Sequence, residues 1–342
     1  MQEVLQYSGQ DWLDAVGSTS ENIKSHIIFD DIIGASFPHP DLVQWKGEIH
    51  PMRTVERLAG LYLQNQSLDP LDVQSSKDLL FYALEHGVEH LKWSISDLNH
   101  LSNIPLVFQG VHLDMIQLSI PLSSGLNSDQ HKNYIQEFIK LKGPVAFEFD
   151  QHTDFDLLQM QTLFHENANI KFNFIHSIQL NNFSNWSNKL LDSIKLFFQN
   201  NKYLLQVQYI IRLQLSKDFL SNVAMLRALR FLIAHEKWER VFIETEVNLH
   251  DLSDDPFHNQ IHQSMCSLSA MLGGADTIWL SPNDLNEKHF TKQWLRTVLH
   301  TIHILKKESY LDLVNDPLKG SYYVEDLSQQ FFYKLKSTQS HP

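Results

Sequence analysis

Between about residues 75 and 325 short apolar runs alternate with longer amphipathic stretches, and this rhythm limits the folds open to the chain. The candidate strands are Leu91–Ile95, Leu106–Phe108, Met115–Ile120, Val145–Phe149, Ile170–Ile175, Leu205–Leu213, Arg240–Thr245 and Thr277–Leu280. Helical patterns fall near 129–142, 154–166, 184–199, 218–236, 257–272 and 290–307. The link between the second and third strands is too short for a helix. About eight strands alternating with helices predict βα units around a parallel sheet. A closed barrel of eight such units takes ~250 residues. An open doubly wound sheet is the alternative, but it usually carries a Gly-rich phosphate loop after its first strand. Neither G-x-G-x-x-G nor G-x-x-x-x-G-K-[ST] occurs.

The expected fold is therefore an α/β (β/α)8 TIM-type barrel over 71–335, with an N-terminal extension over 1–70 and a tail over 336–342. The first sixty or so residues show no strand–helix rhythm; they read as helical at the start and turn-rich from Gly34 to Pro40. Asp69-Pro70 marks a turn before a helical pattern that runs to His86-Gly87. Gly273-Gly274 ends another helix, because glycine takes left-handed dihedrals without a Cβ clash. Asp316-Pro317 and Gly320-Ser321 read as turns. A last helix, Val324 to Leu335, is expected to pack outside the barrel.

Hydrophobic residues at 43% and charged residues at 20% suit a globular protein with a sizeable core. The net charge of −13 argues against nucleic-acid and anionic-membrane partners, which need a basic footprint. The single cysteine, Cys266, has no internal disulfide partner and reads as a small buried side chain. The first residues show neither the basic nor the apolar region of a signal peptide, and no apolar run approaches ~20 residues. A cytoplasmic location is expected.

Several constellations carry less than they suggest. His258 and His262 share a helix face at zinc-ligand spacing, but Asn259 stands where a zinc hydrolase needs Glu, and no third ligand is evident. His86 and His90 have the same spacing across the helix-breaking Gly87, and His300 and His303 read as surface polar groups. No metal site is expected. A nucleophile elbow, a Cys-His pair and paired Cys ligands are absent from the sequence pattern. Asp150-Gln-His152-Thr-Asp154-Phe155 approaches the D-x-H-x-x-G motif of cobalt-ligating histidines, but Phe155 fills the glycine position. It reads instead as a loop in which Asp154 caps the following helix.

The last fifth of the chain is more specific. It holds Leu272-Gly-Gly-Ala-Asp-Thr277, Lys307-Glu-Ser-Tyr310 and Asn315-Asp-Pro-Leu-Lys-Gly-Ser-Tyr-Tyr-Val-Glu-Asp-Leu327. In this order the segments resemble the end of the barrel domain of methylmalonyl-CoA mutases. The helix from Phe219 through Arg227 and Arg230 resembles the family's F-x-x-E-I-A-K-x-R-A-x-R-x-L helix. Glu244-Thr245 with Asn248-Leu249 and Asp255-Pro-Phe-His-Asn259 resembles its T-x-x-x-x-L-T-x-x-D-P-Y-x-N segment. The resemblance covers roughly 170–335. It implies a barrel that binds acyl-CoA along its axis and is capped at its C-terminal rim by a separate cobalamin domain.

The departures shape the functional expectation. Ile178 and Gln179 occupy the family's Tyr-His positions; isoleucine offers no donor, and glutamine cannot become a cation. The run Ile243 to Leu249 replaces the family's H-C-Q-T-S-G-W, Asn222 and Met225 replace Glu and Lys, and His262-Gln263 replace R-T. Thr245, Asn248 and Asn283 remain as degenerate rim positions. No cobalamin-binding domain is expected, since it should follow the barrel and the sequence stops at Pro342. What the resemblance implies is a non-catalytic small subunit of a cobalamin-dependent methylmalonyl-CoA mutase. No catalytic residue and no cofactor are expected in this chain. Adenosylcobalamin would sit in the partner, the large catalytic mutase subunit, which isomerises methylmalonyl-CoA to succinyl-CoA in a heterodimer serving propionate metabolism. The alternative is a stand-alone barrel that binds acyl-CoA or has altered chemistry.

Overall fold

The structure is a computed structural model that describes residues 26–29, 32–34, 58–63, 72–93, 102–122, 128–141, 143–150, 170–179, 183–200, 207–248, 251–280, 292–311, 313 and 316–337. Two short strands, β1 (His26–Phe29) and β2 (Ile32–Gly34), pair antiparallel. Eight strands then form a closed parallel barrel: β3 (Leu58–Leu63), β4 (His90–Trp93), β5 (Gln117–Pro121), β6 (Val145–Phe149), β7 (Ile170–Gln179), β8 (Val207–Leu215), β9 (Val241–Val247) and β10 (Thr277–Leu280). Each strand pairs with the next in sequence, and β10 closes the ring on β3, with Trp279 opposite Gly60.

The (β/α)8 fold is as expected, but two elements differ from the sequence reading. The first barrel strand is Leu58–Leu63, inside the stretch assigned to the N-terminal extension, so the barrel begins before residue 71. Its Leu-Ala-Gly-Leu-Tyr-Leu sequence carries a central glycine that weakens any strand signal. The expected strand Leu106–Phe108 is instead part of a short helix, α2 (Ile104–Val107). Pro105 suits the first turn of a helix, where its missing N–H costs nothing. A strand pair, β1–β2, also occupies part of the extension where no strand was read.

The remaining helices are α1 (Val73–Glu85), α3 (Ser128–Ile139), α4 (Phe183–Asn200), α5 (Phe219–His235), α6 (Pro256–Gly273), α7 (Lys292–Lys307) and α8 (Tyr322–Ser337). The expected helix near 154–166 lies outside the described residues. Strand residues of one parity face the helices and build the main core, as with Trp93, Phe147, Phe172, Tyr209 and Ile243. α5 is apolar nearly all round, because it lies between α6 and α8 as well as against the barrel. Two matched polar clamps fix the starts of α5 and α6. Asp218 and Asp255 cap the helices, accepting from Ser221 N and Phe257 N. Four residues on, Asn222 and Asn259 each accept from a serine N–H and donate back to the same serine's carbonyl, at Ser216 and Ser253.

The segments that carry the sequence resemblance are bound together by buried charge. Arg227, fully buried on α5, donates to Asp316 Oδ2 at 2.8 Å, Glu325 Oε1 at 3.0 Å and Ser328 Oγ at 3.1 Å. This ties the turn before α8, and α8 itself, to the outside of the barrel. Arg230 donates to Gly274 O and to Asp276, whose carboxylate also accepts from Ile243 N. Gly274 ends α6 at φ +85°, in the left-handed region expected for it.

Candidate functional site

Residues of the opposite parity point into the barrel, and several are charged. Glu148 on β6 and Arg212 on β8 are separated by β7, so their contact must cross the lumen. Arg212 Nη2 donates to Glu148 Oε1 at 2.9 Å and to Glu244 Oε2 at 2.6 Å, and Nε adds a second bond to Glu244 at 3.0 Å. Trp279 Nε1 donates to the same Glu244 oxygen at 2.8 Å. The Lys92 ammonium lies 4.6 Å from the Trp279 ring centroid, again across an intervening strand. His90 completes the group: Nε2 is 2.8 Å from Ser119 Oγ, Nδ1 is 3.3 Å from Thr277 Oγ1, and the ring packs on Trp279. Side chains from β4, β5, β6, β8, β9 and β10 thus meet across the axis as a polar plug.

The plug holds two cations and two carboxylates away from water, and its electrostatics follow. Burial opposes the Arg212 charge, but Glu148, Glu244 and Glu246 outweigh it and hold the guanidinium more firmly protonated than usual. Burial likewise opposes charge on Glu244, yet Arg212, His90 and Lys92 keep its carboxyl below the ordinary range. Burial lowers the Lys92 pKa. It lowers His90 to about 4, so the ring is neutral near pH 7 and joins two hydroxyls without adding charge.

Below the plug, at the N-terminal ends of the strands, a cavity of about 570 Å³ opens, with His90 and Glu244 at its inner end. Asp114, Lys171, Asn173 and Gln208 also line it. Asn173 is buried, and its Oδ1 has no hydrogen-bond partner among the described residues. Most of the residues that follow the C-terminal ends of the strands lie outside the described residues.

The positions singled out in the sequence fall in different places. Ile178 and Gln179 are the last two residues of β7, opposite Leu213 and Gln214 of β8. Thr245 is buried within β9, its hydroxyl donating to Thr277 O at 3.3 Å. Asn248 directly follows β9 and accepts a turn bond from Asp251 N. Asn283 and the 151–155 part of the histidine motif lie outside the described residues. His258 is 3.3 Å from Ser253 Oγ on the surface. His262 is buried, with Nε2 3.8 Å from Cys266 Sγ. A Cys-His contact therefore exists, contrary to the sequence reading; the i, i+4 spacing on α6 creates it. Burial pushes the thiol up to about 12 and lowers the His262 pKa, so both groups are neutral and no activated thiolate forms. Among the described residues no group of three or more His, Cys, Asp or Glu is placed to hold a metal. His176 and Tyr209 form a second unforeseen pair, 2.8 Å apart with Ser193 Oγ 2.9 Å from the phenol. They lie on the outer face of β7 and β8 against α4, away from the axis.

Sequence reasoning missed the plug, although a signal was present. Lys92, Glu148, Arg212 and Glu244 each interrupt an apolar run that forms a strand buried on both faces. A charge in such a run needs a partner from another strand.

Fold and axis together define the class: a closed parallel (β/α)8 barrel whose lumen is crossed by a buried ion network. Over residues 206–339 the sequence matches the model of the methylmalonyl-CoA mutase family. It is 31% identical over 130 residues to methylmalonyl-CoA mutase of Escherichia coli strain K12, a match covering 35% of this chain and 18% of that one. It is 38% identical over 80 residues to the methylmalonyl-CoA mutase small subunit of Propionibacterium freudenreichii subsp. shermanii, covering 22% and 12%. The matched region thus spans less than a fifth of the length of these relatives. Dihydropteroate synthase from Xanthomonas albilineans superposes with a TM-score of 0.45 at 11% identity, covering 74% of this chain and 94% of that one. No described helix is long and apolar enough to cross a membrane.

Proposed function

We propose that this chain is a non-catalytic small subunit of a cobalamin-dependent methylmalonyl-CoA mutase, whose large subunit binds adenosylcobalamin and carries out the isomerisation. The observation that carries the reading is the polar plug. An acyl-CoA lying along the barrel axis would have to displace Arg212 from two buried carboxylates and Lys92 from the Trp279 face. Breaking a buried ion pair costs about 3–5 kcal/mol, comparable to a large part of the free energy of a micromolar ligand. The family segments that remain recognisable hold the scaffold together: Arg227 with Asp316 and Glu325, and Arg230 with Asp276. A chain that keeps those bridges while filling its axis suits a supporting role.

Two measurements test the reading together. Co-purification with the large mutase subunit from the source cell is expected at a fixed ratio. Calorimetry of the isolated chain with methylmalonyl-CoA and succinyl-CoA is expected to show no binding at 100 μM or below (on the order of 8 kcal/mol is needed for a micromolar complex). Tight acyl-CoA binding without association would instead favour the stand-alone barrel.

A further inference from the structure

Helix α6 is uncharged over its whole length. From Pro256 to Gly273 it contains no Asp, Glu, Lys or Arg, in a chain in which 20% of residues are charged. Its inner face is covered by the barrel and by α5, but Phe257, Ile261 and Met265 on the outer face are 72%, 65% and 44% exposed. Their i, i+4, i+8 spacing aligns them in one stripe. A helix exposed on that side normally carries charged or polar residues there.

The stripe continues onto α7. Phe257 packs edge-on against Trp294 at 5.9 Å, and Gln260 Nε2 donates to Thr301 Oγ1 at 2.9 Å. α7 has no acidic residue, and it presents Lys292, Arg296 and Lys307 to solvent. Among the described residues no carboxylate pairs with any of the three. A groove of about 640 Å³ runs along this helix, lined by Tyr82, Arg296, His300 and Ile304 among others. An apolar stripe beside a helix whose exposed charged side chains are all basic stands out on a protein of net charge −13.

We propose that the outer faces of α6 and α7 form the docking surface for the large mutase subunit, which would meet them with an apolar ridge flanked by carboxylates. The proposal rests on the subunit reading above. Charge selects this occupant over a second copy of the chain. A two-fold dimer through this face would oppose the same patch on both copies, bringing the Lys292 and Arg296 charges of both into one interface with no acidic residue of this helix to offset them, and like-charge juxtaposition of that kind is costly.

The test measures binding of the purified large subunit to immobilised full-length chain. Ile261→Asp is expected to weaken binding at least tenfold, and Arg296→Glu several-fold with a shallower salt dependence. Leu106→Asp, at an exposed apolar position elsewhere, is expected to bind as the unaltered chain does. All three positions are solvent-exposed, and melting curves establish that each variant folds. If the unaltered chain binds and Ile261→Asp binds equally well, the surface is misassigned while the subunit reading stands. If the unaltered chain fails to bind, the subunit reading falls and this inference with it. Self-association of the isolated chain that Ile261→Asp abolishes would assign the stripe to a second copy and overturn the proposal.

Discussion

Replacing Arg212 with methionine removes the cation that holds Glu148 and Glu244 in the barrel. Both carboxylates are 3% exposed, and in the variant Trp279 Nε1 is the remaining donor shown for Glu244 from within the plug. Removing one partner of a buried ion pair costs about 3–5 kcal/mol. With an unfolding entropy of ~2.1 cal/mol/K per residue, a loss of that size lowers Tm by about 4–7 °C in a chain this long. The penalty also carries a pH signature. In the unaltered protein Arg212 keeps the Glu244 pKa below its unfolded value, so that interaction stabilises above the unfolded pKa and is lost as pH falls through the folded one. Without Arg212, burial raises the Glu244 pKa above the unfolded value, and the variant is relieved when the carboxyl takes up a proton. The Tm gap between the two proteins should therefore narrow from pH 7.5 to pH 5. A triple replacement, Arg212→Met with Glu148→Leu and Glu244→Leu, should recover only part of the loss, because it also removes two carboxylates that favour the Lys92 charge and the acceptor of Trp279 Nε1. Scanning calorimetry across this pH range decides the matter. A single variant as stable as the unaltered chain at pH 7.5, or a gap that does not change with pH, would show that the plug is not a desolvated ion network.

Further outcomes follow from other parts of the structure. His90 is depressed to about 4, so the unfolded chain takes up its proton first as pH falls; this destabilises the fold progressively below pH 6.5, by about 2 kcal/mol at pH 5. His90→Gln should flatten that part of the stability–pH curve measured by urea unfolding. Arg227→Met leaves Asp316 and Glu325 without their cation and should cost about 3–5 kcal/mol, with faster amide exchange in α8 read by mass spectrometry. Gly87→Ala should lower stability by at least ~1 kcal/mol, because Gly87 sits at φ +83° and an added Cβ would lie 2.4 Å from His303 Nε2. A melting curve is sufficient to check it.

Much of the barrel was legible because parallel strands buried on both faces leave apolar runs of strand length, as at Val145–Phe149 and Thr277–Leu280. Where such a run is short, its period says nothing, and Ile104–Val107 became a helix. Leu58–Leu63 escaped for a different reason: Gly60 lies at its centre, and its strand pairing comes from β4 and β10, which lie 27 and more than 200 residues away in sequence. The site was harder to read. Arg212, Glu148 and Glu244 are spread over almost 100 residues of chain, and only barrel closure brings them together. The end segments were recognisable as motifs, yet local turn chemistry did not reveal that Arg227 binds two of them at once.

The Arg227 bridge has a consequence for the order of events during synthesis. Its carboxylate partners lie 89 and 98 residues further along the chain. While a ribosome is still making that stretch, a helix fated for full burial carries an unmatched guanidinium, and packing it against the sheet would strand a charge in an oily seam. The outer layer around α5 is therefore expected to stay open until the last turn and α8 emerge, and a nascent chain halted shortly before Asp316 should remain a ready substrate for proteases and chaperones.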